Sequence, residues 1–313
     1  MSHNLNFAIK IRIIVAMPQV LLKEKILFII NPNSGTRFKG DLPEIIQQQI
    51  DKAIFDVEVL ITRYKGEATE IVQQKLTEGY CYFIAVGGDG TVNEIAKVLI
   101  NTQAILGIIP VGSGNGLARH LKIPLTVNKA LQIINNLKTE SIDCGIINSI
   151  PFFCTCGVGF DALIGEKFDQ KKRRGLLTYI KTVFSEFFNY NPETYRIVID
   201  NEQEIVRNAF LITFANASQY GNNAFIAPKA DIYDGKLDLC ILSPFRFYTA
   251  PFIGMRLFTG KIDKSSLVFS KQARKIVLKR EGDGIIHIDG ETLIQGKDIE
   301  LSVVSRGLRV LIP

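Results

Sequence analysis

The chain has no tryptophan, only three histidines and three methionines, and five cysteines that never fall at C-x-x-C spacing. Three histidines (His3, His120, His287) supply a histidine-based zinc site or a Ser/His/Asp triad poorly. The cysteines (Cys81, Cys144, Cys154, Cys156, Cys240) are odd in number, and most lie in apolar, strand-like runs. That pattern reads as buried free thiols in a reducing cytoplasm, not as a disulfide frame. No apolar stretch is clean enough for a membrane span. Residues 5–22 come nearest, but Lys10, Arg12 and Pro18 interrupt them and no small-residue cleavage site follows. The native start is expected at Met17, just ahead of the first convincing strand. Charge of one sign is also scarce: the net charge of +6 suits polyanionic ligands or anionic membrane surfaces without specifying either. Core material is what the chain has in plenty. With 313 residues, 47% hydrophobic and 22% charged, one large or two ordinary domains are expected and disorder is excluded.

The chain is organised around Tyr82-Phe83-Ile84-Ala85-Val86-Gly87-Gly88-Asp89-Gly90-Thr91-Val92-Asn93-Glu94. A buried-strand run is followed by three glycines in four positions, and then a helical pattern begins. Val92, Ile95, Ala96, Val98 and Leu99 recur at helical spacing. Glycines 87, 88 and 90 are expected to take positive φ and to let the backbone approach a ligand. The helix behind them directs unpaired N–H groups and its positive dipole end at that ligand, which suits phosphate. A tight β-to-α turn without a ligand has the same spacing. Asp89 and Thr91 add a carboxylate and a hydroxyl, a pairing that suits a metal ion or an acceptor hydroxyl beside the anion.

Strand patterns at 25–30, 57–61, 82–87, 105–111 and 142–147 alternate with helical patterns at 45–53, 67–76, 91–101, 117–121 and 127–137. This predicts a parallel sheet covered by helices, with the loops at 31–35, 62–66, 87–90 and 112–116 converging at its carboxyl edge. Past 148 the rhythm becomes short strands, at 195–200, 205–213, 237–242, 274–279, 285–288 and 299–304, with one substantial helix over 176–188. The fold class expected is therefore α/β plus β: a nucleotide-binding parallel-sheet domain over 23–147 and an antiparallel β-sandwich over 148–305, with the cleft between them as the active site. The tail 306–313 is free to return to the first domain.

Asn31-Pro32-x-Ser34-Gly35, Gly87-Gly88-Asp89-Gly90-Thr91-x-Asn93-Glu94 and Pro110-x-Gly112-Ser113-Gly114-Asn115, in this order, resemble the diacylglycerol kinase catalytic domain family, which includes sphingosine and ceramide kinases and bacterial soluble lipid kinases. The likeness continues through Gly157-Val158-Gly159-Phe160-Asp161-Ala162, Asp234-Gly235-Lys236-Leu237-Asp238 and Asp289-Gly290-Glu291. The first glycine block alone is shared with NAD kinases and phosphofructokinases, whose nucleotide-binding domains are similar. The resemblance implies an ATP- and Mg²⁺-dependent kinase acting on the hydroxyl of a membrane lipid. It places ATP at Asn31, Thr62, Gly87, Gly88, Asp89, Gly90, Thr91, Val92, Asn93 and Ser113, and Mg²⁺ at Asp231, Asp234 and Lys236. From spacing alone Asp234-Gly235 is a hairpin turn. Gly116 stands where many bacterial diacylglycerol kinases carry an acidic residue, and so looks more like the sphingosine-kinase variant.

A lipid hydroxyl is barely acidic, so transfer needs a base within hydrogen-bond reach. Glu291 is favoured, with Asp289 supporting it or acting in its place, and Asp89 comes next. Lys171, Lys172, Arg173 and Arg174 precede an amphipathic run and read either as a solvated face or as a contact with an anionic membrane. No aromatic-basic platform for nucleic acid is visible. The expected protein is cytoplasmic and peripheral to the membrane, with a homodimer left open. Its rivals are an NAD-kinase-like enzyme and a catalytically silent lipid- or nucleotide-binding regulator.

Overall fold

The computed structural model describes residues 23–35, 40–169 and 176–313. Its first half runs β1 (Glu24–Ile30), α1 (Leu42–Gln49), β2 (Phe55–Ile61), α2 (Glu67–Thr77), β3 (Tyr82–Gly87), α3 (Asp89–Leu99), β4 (Ile105–Pro110), α4 (Gly116–His120), α5 (Val127–Asn136) and β5 (Thr139–Ile147). The strands β2-β1-β3-β4 lie side by side and parallel. Helices cover both faces, α2 packing beside α3 and α1 beside α5. That double cover is why β1, β3 and β4 are almost continuously apolar. In α3 the spaced residues Val92, Ile95, Ala96 and Leu99 are buried against the sheet, as their period predicts.

The second half runs β6 (Ile150–Phe152), β7 (Thr155–Gly159), α6 (Phe160–Asp169), α7 (Leu176–Phe187), β8 (Glu193–Ile199), β9 (Gln203–Ala209) and β10 (Leu211–Ala215). It continues through β11 (Leu237–Leu242), α8 (Ala250–Phe258), β12 (Val268–Ala273), β13 (Lys275–Lys279), β14 (Gly284–Ile288), β15 (Glu291–Gln295) and β16 (Asp298–Leu311). Six of these strands form an antiparallel sheet in the order β12-β11-β10-β7-β14-β15. It faces an extension of the first sheet, β16-β13-β8-β9, across a core that includes Phe152, Tyr195, Ile197, Phe214, Leu239 and Leu278. The two layers make the expected sandwich.

Three details of this half differ from the expectation. The strand expected over 205–213 is two strands: β9 belongs to the first sheet, β10 to the second, and the chain crosses between them at Phe210. Phe210 is itself buried, so hydrophobicity does not mark the crossing. Two further helices, α6 and α8, accompany α7. In α6 the helix-weakening Gly165 hides the pattern, yet a Cβ there would meet Thr292 Cγ2 at 2.8 Å, so glycine lets α6 lie close on β15. Finally, residues 306–311 are no separate tail. They are the end of the 14-residue β16, which runs antiparallel to β13 and to β5, keeps β5 as its partner across a register shift between Val304 and Leu308, and ends parallel to β4. Leu308, Val310 and Leu311 bury in the first-domain core. One strand thus belongs to both domains.

Candidate active site

The loops after β1, β2, β3 and β4 lie together at the carboxyl edge of the parallel strands. None of Gly87, Gly88 and Gly90 has positive φ, contrary to the expectation; Gly88 is extended at φ −100°, and Asp89 already begins α3. The glycines serve close packing of one loop on another. A Cβ on Gly112 would lie 2.4 Å from Gly88 Cα, and one on Gly35 would lie 2.0 Å from the Val111 carbonyl oxygen. One on Gly114 would lie 2.6 Å from Asp89 Oδ2. The glycine blocks of three loops interlock.

Asp89 is what ties two of them together. Its Oδ2 accepts the Asn115 N–H at 2.8 Å and its Oδ1 the Gly116 N–H at 2.6 Å. The carboxylate beside a phosphate site is therefore explained by the neighbouring loop. Gly116 leaves little room for a side chain, since a Cβ would sit 3.3 Å from Cys154 Sγ, tight by a few tenths of an ångström. Asn115 holds the same turn with a left-handed φ of 54° and an Nδ2 bond to the Gly112 carbonyl. Arg119 donates to the Gly114 carbonyl, so it braces the loop from behind.

Asp289 sits in the β14–β15 turn and is more tightly held. Oδ1 accepts from the N–H groups of Cys154 and Thr155, and Oδ2 accepts from Phe153 N–H and from Asn93 Nδ2, all at 2.8–3.1 Å. The Asn93 bond joins α3 to the second sheet. Burial pushes the Asp289 carboxyl above the usual range despite these donors. Burial also raises Asp89, the Gly116 and Asn115 N–H groups oppose that rise, and the charge of Asp289 adds to it. Glu291 behaves differently: it is half exposed and pairs with Lys65 at 2.9 Å, bridging the hairpin to the loop after β2.

The remaining expected nucleotide residues lie on the same edge. Asn31 Nδ2 donates to Thr91 Oγ1 at 3.2 Å, joining the first and third loops. Thr62 is buried and its N–H closes onto the Ile30 carbonyl. Val92 is buried, and Ser113 is exposed at the tip of the fourth loop. Below this edge a cavity of about 230 Å³ opens between the domains, lined by Asp89, Val92, Asn93, Leu117, Phe153 and Asp289 among others. Its lining also includes three groups that the sequence did not single out as site residues: Asp161, Tyr220 and His287. Asp161 Oδ2 accepts from His287 Nε2 at 3.0 Å, Tyr220 OH at 3.0 Å and Thr213 Oγ1 at 3.3 Å. The signal available was a lone imidazole inside the apolar strand Ile285-Ile286-His287-Ile288.

The loop expected to hold Mg²⁺ connects β10 to β11. Asp234 Oδ1 accepts the Lys236 N–H and Oδ2 accepts Gln272 Nε2, while Asp231 Oδ1 accepts the Tyr233 N–H. Among the described residues no three His, Cys, Asp or Glu side chains gather in a metal-holding group. These residues offer two engaged carboxylates and backbone carbonyls, a set that would hold Mg²⁺ only with water completing its octahedron. The turn is also fastened by Asp143, whose Oδ2 accepts the Gly235 N–H and whose Oδ1 accepts the Arg306 N–H of β16.

Residues 25–147 match the family described as diacylglycerol kinase catalytic domain, and residues 154–312 match the YegS C-terminal NAD kinase beta sandwich-like domain. A diacylglycerol kinase of Mycobacterium tuberculosis is 30% identical over 74% of this chain and 76% of its own length. The chain belongs to the diacylglycerol kinase family. It is a lipid kinase. A relative from Pseudomonas aeruginosa, named "Probable lipid kinase YegS-like", is 29% identical over 93% of this chain and 95% of its own. A crystal structure of a diacylglycerol kinase from Bacillus anthracis strain Sterne shares the fold, with TM-score 0.71 and 22% identity over 93% of this chain and 97% of that one. In this kinase no helix among the described residues is long and apolar enough to cross a membrane.

Proposed function

We propose that this lipid kinase transfers the γ-phosphoryl group of Mg²⁺–ATP to a hydroxyl of a diacylglycerol- or sphingoid-type membrane lipid. The observation that carries the reading is the pair Asp89 and Asp289, two recessed carboxylates of raised proton affinity lining the interdomain cavity, beside four strand-to-helix loops. The first-turn N–H groups of α3 and the loop N–H groups suit the phosphates, and the metal arrives with the nucleotide, held largely by phosphate oxygens.

The acceptor oxygen attacks the γ-phosphorus, the bond from that phosphorus to the ADP oxygen breaks, and the hydroxyl proton passes to a carboxylate. We place that proton on Asp89. Each Asp89 oxygen accepts one backbone N–H and keeps a lone pair free, whereas Asp289 already accepts four donors. Glu291 does not line the cavity and is engaged by Lys65. Burial, with the charge of Asp289 adding to it, makes Asp89 a better base than an isolated aspartate.

Access for a lipid is supported by exposed Phe184, Phe188, Phe252, Met255 and Phe258. Ring contacts of Phe184 and Phe188 with Phe247, at 5.1 and 4.8 Å, tie α7 to the segment leading into α8. Exposed Arg246 and Lys261 flank this apolar face, which suits the surface of an anionic bilayer. The cluster Lys171, Lys172, Arg173 and Arg174, expected to make that contact, lies outside the described residues. The deciding experiment incubates the protein with γ-labelled ATP and a total lipid extract of its own host, and then with pure lipids. Label in a lipid product is expected; label that stays in ATP or inorganic phosphate alone would refute the reading.

A further inference from the structure

Asp161, His287, Tyr220 and Thr213 form a hydrogen-bonded group, the first three lining the cavity together with Asp89 and Asp289, and the transfer step makes no use of them. Burying an imidazole and a carboxylate together has an unfavourable desolvation term, which calls for a reason. His287 is buried at 5% exposure in the middle of β14, and its Nε2 lies 3.0 Å from Asp161 Oδ2. A carboxylate oxygen can only accept, so Nε2 carries the hydrogen, and in the neutral imidazole Nδ1 presents a lone pair. That Nδ1 has no hydrogen-bond partner among the described residues and is not sealed from solvent. The space His287 lines is the cavity. Asp161 cannot itself read a ligand donor well, because Oδ2 takes His287 Nε2–H and one of the hydroxyls of Tyr220 and Thr213, which also bond each other, and Oδ1 takes the Ala162 N–H. The group therefore aims one acceptor, His287 Nδ1, at whatever fills the cavity.

His287 lies in β14 and Asp289 in the turn two residues on, so their Cα atoms are at most roughly 7 Å apart, and both line the cavity. Two donor groups on neighbouring carbons, each making a hydrogen bond of about 2.8 Å, bridge such a gap. One hydroxyl reaches the carboxylate pair and the other donor reaches the imidazole. A cavity of about 230 Å³ holds a polar headgroup and leaves the acyl chains outside.

Resting on the lipid-kinase reading, we propose that His287, positioned by Asp161, selects acceptor lipids that carry a second hydrogen-bond donor beside the reacting hydroxyl. A diol or an amino alcohol satisfies Nδ1. A diacylglycerol, whose neighbouring oxygen is esterified, leaves it unpaired. His287 is a specificity residue and moves no proton in the reaction.

The test compares 1-monooleoylglycerol, sphingosine and dioctanoylglycerol as acceptors for wild type, His287→Gln and His287→Asn. Gln keeps a donor toward Asp161 and loses the Nδ1 acceptor, whereas Asn keeps an acceptor near the Nδ1 position. Wild type is expected to favour a two-donor lipid over dioctanoylglycerol at least tenfold in kcat/KM. His287→Gln should raise that lipid's KM about tenfold, with KM for ATP and saturating kcat within twofold, and His287→Asn should recover part of the loss. Monooleoylglycerol and sphingosine separate an O–H from an N–H as the donor. A wild type that prefers dioctanoylglycerol, or a His287→Gln enzyme with unchanged selectivity, overturns the proposal. Nitrogen-15 spectra of histidine-labelled protein separate this failure from failure of the kinase reading. The His287 Nδ1 signal should shift on adding monooleoylglycerol even to a protein that phosphorylates nothing, and an unmoved signal counts against the proposal.

Discussion

At the scale of single residues, three carboxylates offered by the motifs take three different positions. Asp289 is spent on four donors, Glu291 is paired in the open with Lys65, and Asp89 is recessed with lone pairs to spare. Asp89→Asn should therefore lower kcat by about 10²–10⁴. Glu291→Gln should leave kcat within about threefold of wild type, the expectation for a group that touches no reacting atom. Steady-state kinetics with saturating lipid measures both, and the reverse ranking would move the base to Glu291. The pH dependence follows from the same geometry. A base works only when deprotonated, and burial raises the Asp89 carboxyl, so the acid limb of kcat/KM should lie above the ordinary aspartate value of about 3.9. For stability the sign runs the other way. A carboxyl with a raised folded-state pKa binds its proton more tightly in the folded protein. The contribution of Asp89 and Asp289 is therefore fully present below the unfolded pKa and is lost as pH rises through the folded one. The Asp89→Asn variant should show a weaker rise in urea-unfolding free energy on acidification than wild type does.

At the scale of elements, the glycine loops act as a set. Their spacing after apolar strands was legible in the sequence, as were the parallel strands and the buried stripe of α3. The reason for the glycines was not, because φ angles and loop-to-loop distances depend on how β3 and β4 are brought side by side. Gly112→Ala places a Cβ 2.4 Å from Gly88 Cα, a backbone atom that cannot swing aside, and 2.9 Å from Asn115 Oδ1. The two loops must separate. KM for ATP should rise at least tenfold, and thermal unfolding should move to lower temperature. Unchanged nucleotide affinity in this variant would detach the interlocked loops from nucleotide binding. The strand expected over 205–213 failed at this same scale, since an apolar run is the signature of burial on either side of the Phe210 crossing.

At the scale of the whole molecule, β16 and Asp143 join the domains. Asp143 is fully buried and accepts the N–H of Gly235 and of Arg306 from two distant segments. Asp143→Ala leaves two donors without a partner and should destabilise the fold by about 1–3 kcal/mol for each, read from denaturant unfolding. A single transition in that experiment is expected, because the sheet runs unbroken from β2 to β9 through β16. The thiols report the same packing. Four of the five cysteines are buried, and burial pushes Cys240 up to about 12 and Cys154 and Cys156 well above their usual range. A thiol reagent should label one equivalent, at Cys81, in the native protein and five after denaturation. More than one fast-reacting thiol in the native state would contradict this packing.

The sequence by itself determined the residue types of the nucleotide loops, their order along the chain and the two-domain α/β plus β plan. Those properties follow from local backbone freedom and from hydrophobic period. Only the tertiary structure decided which of Asp89, Asp289 and Glu291 faces the cavity. It alone set Asp161 against His287 across 126 positions of chain, and it alone turned the last residues into a strand shared by both domains. Pairings between residues so far apart in sequence leave no local period to read, because their partners are chosen by how the layers pack.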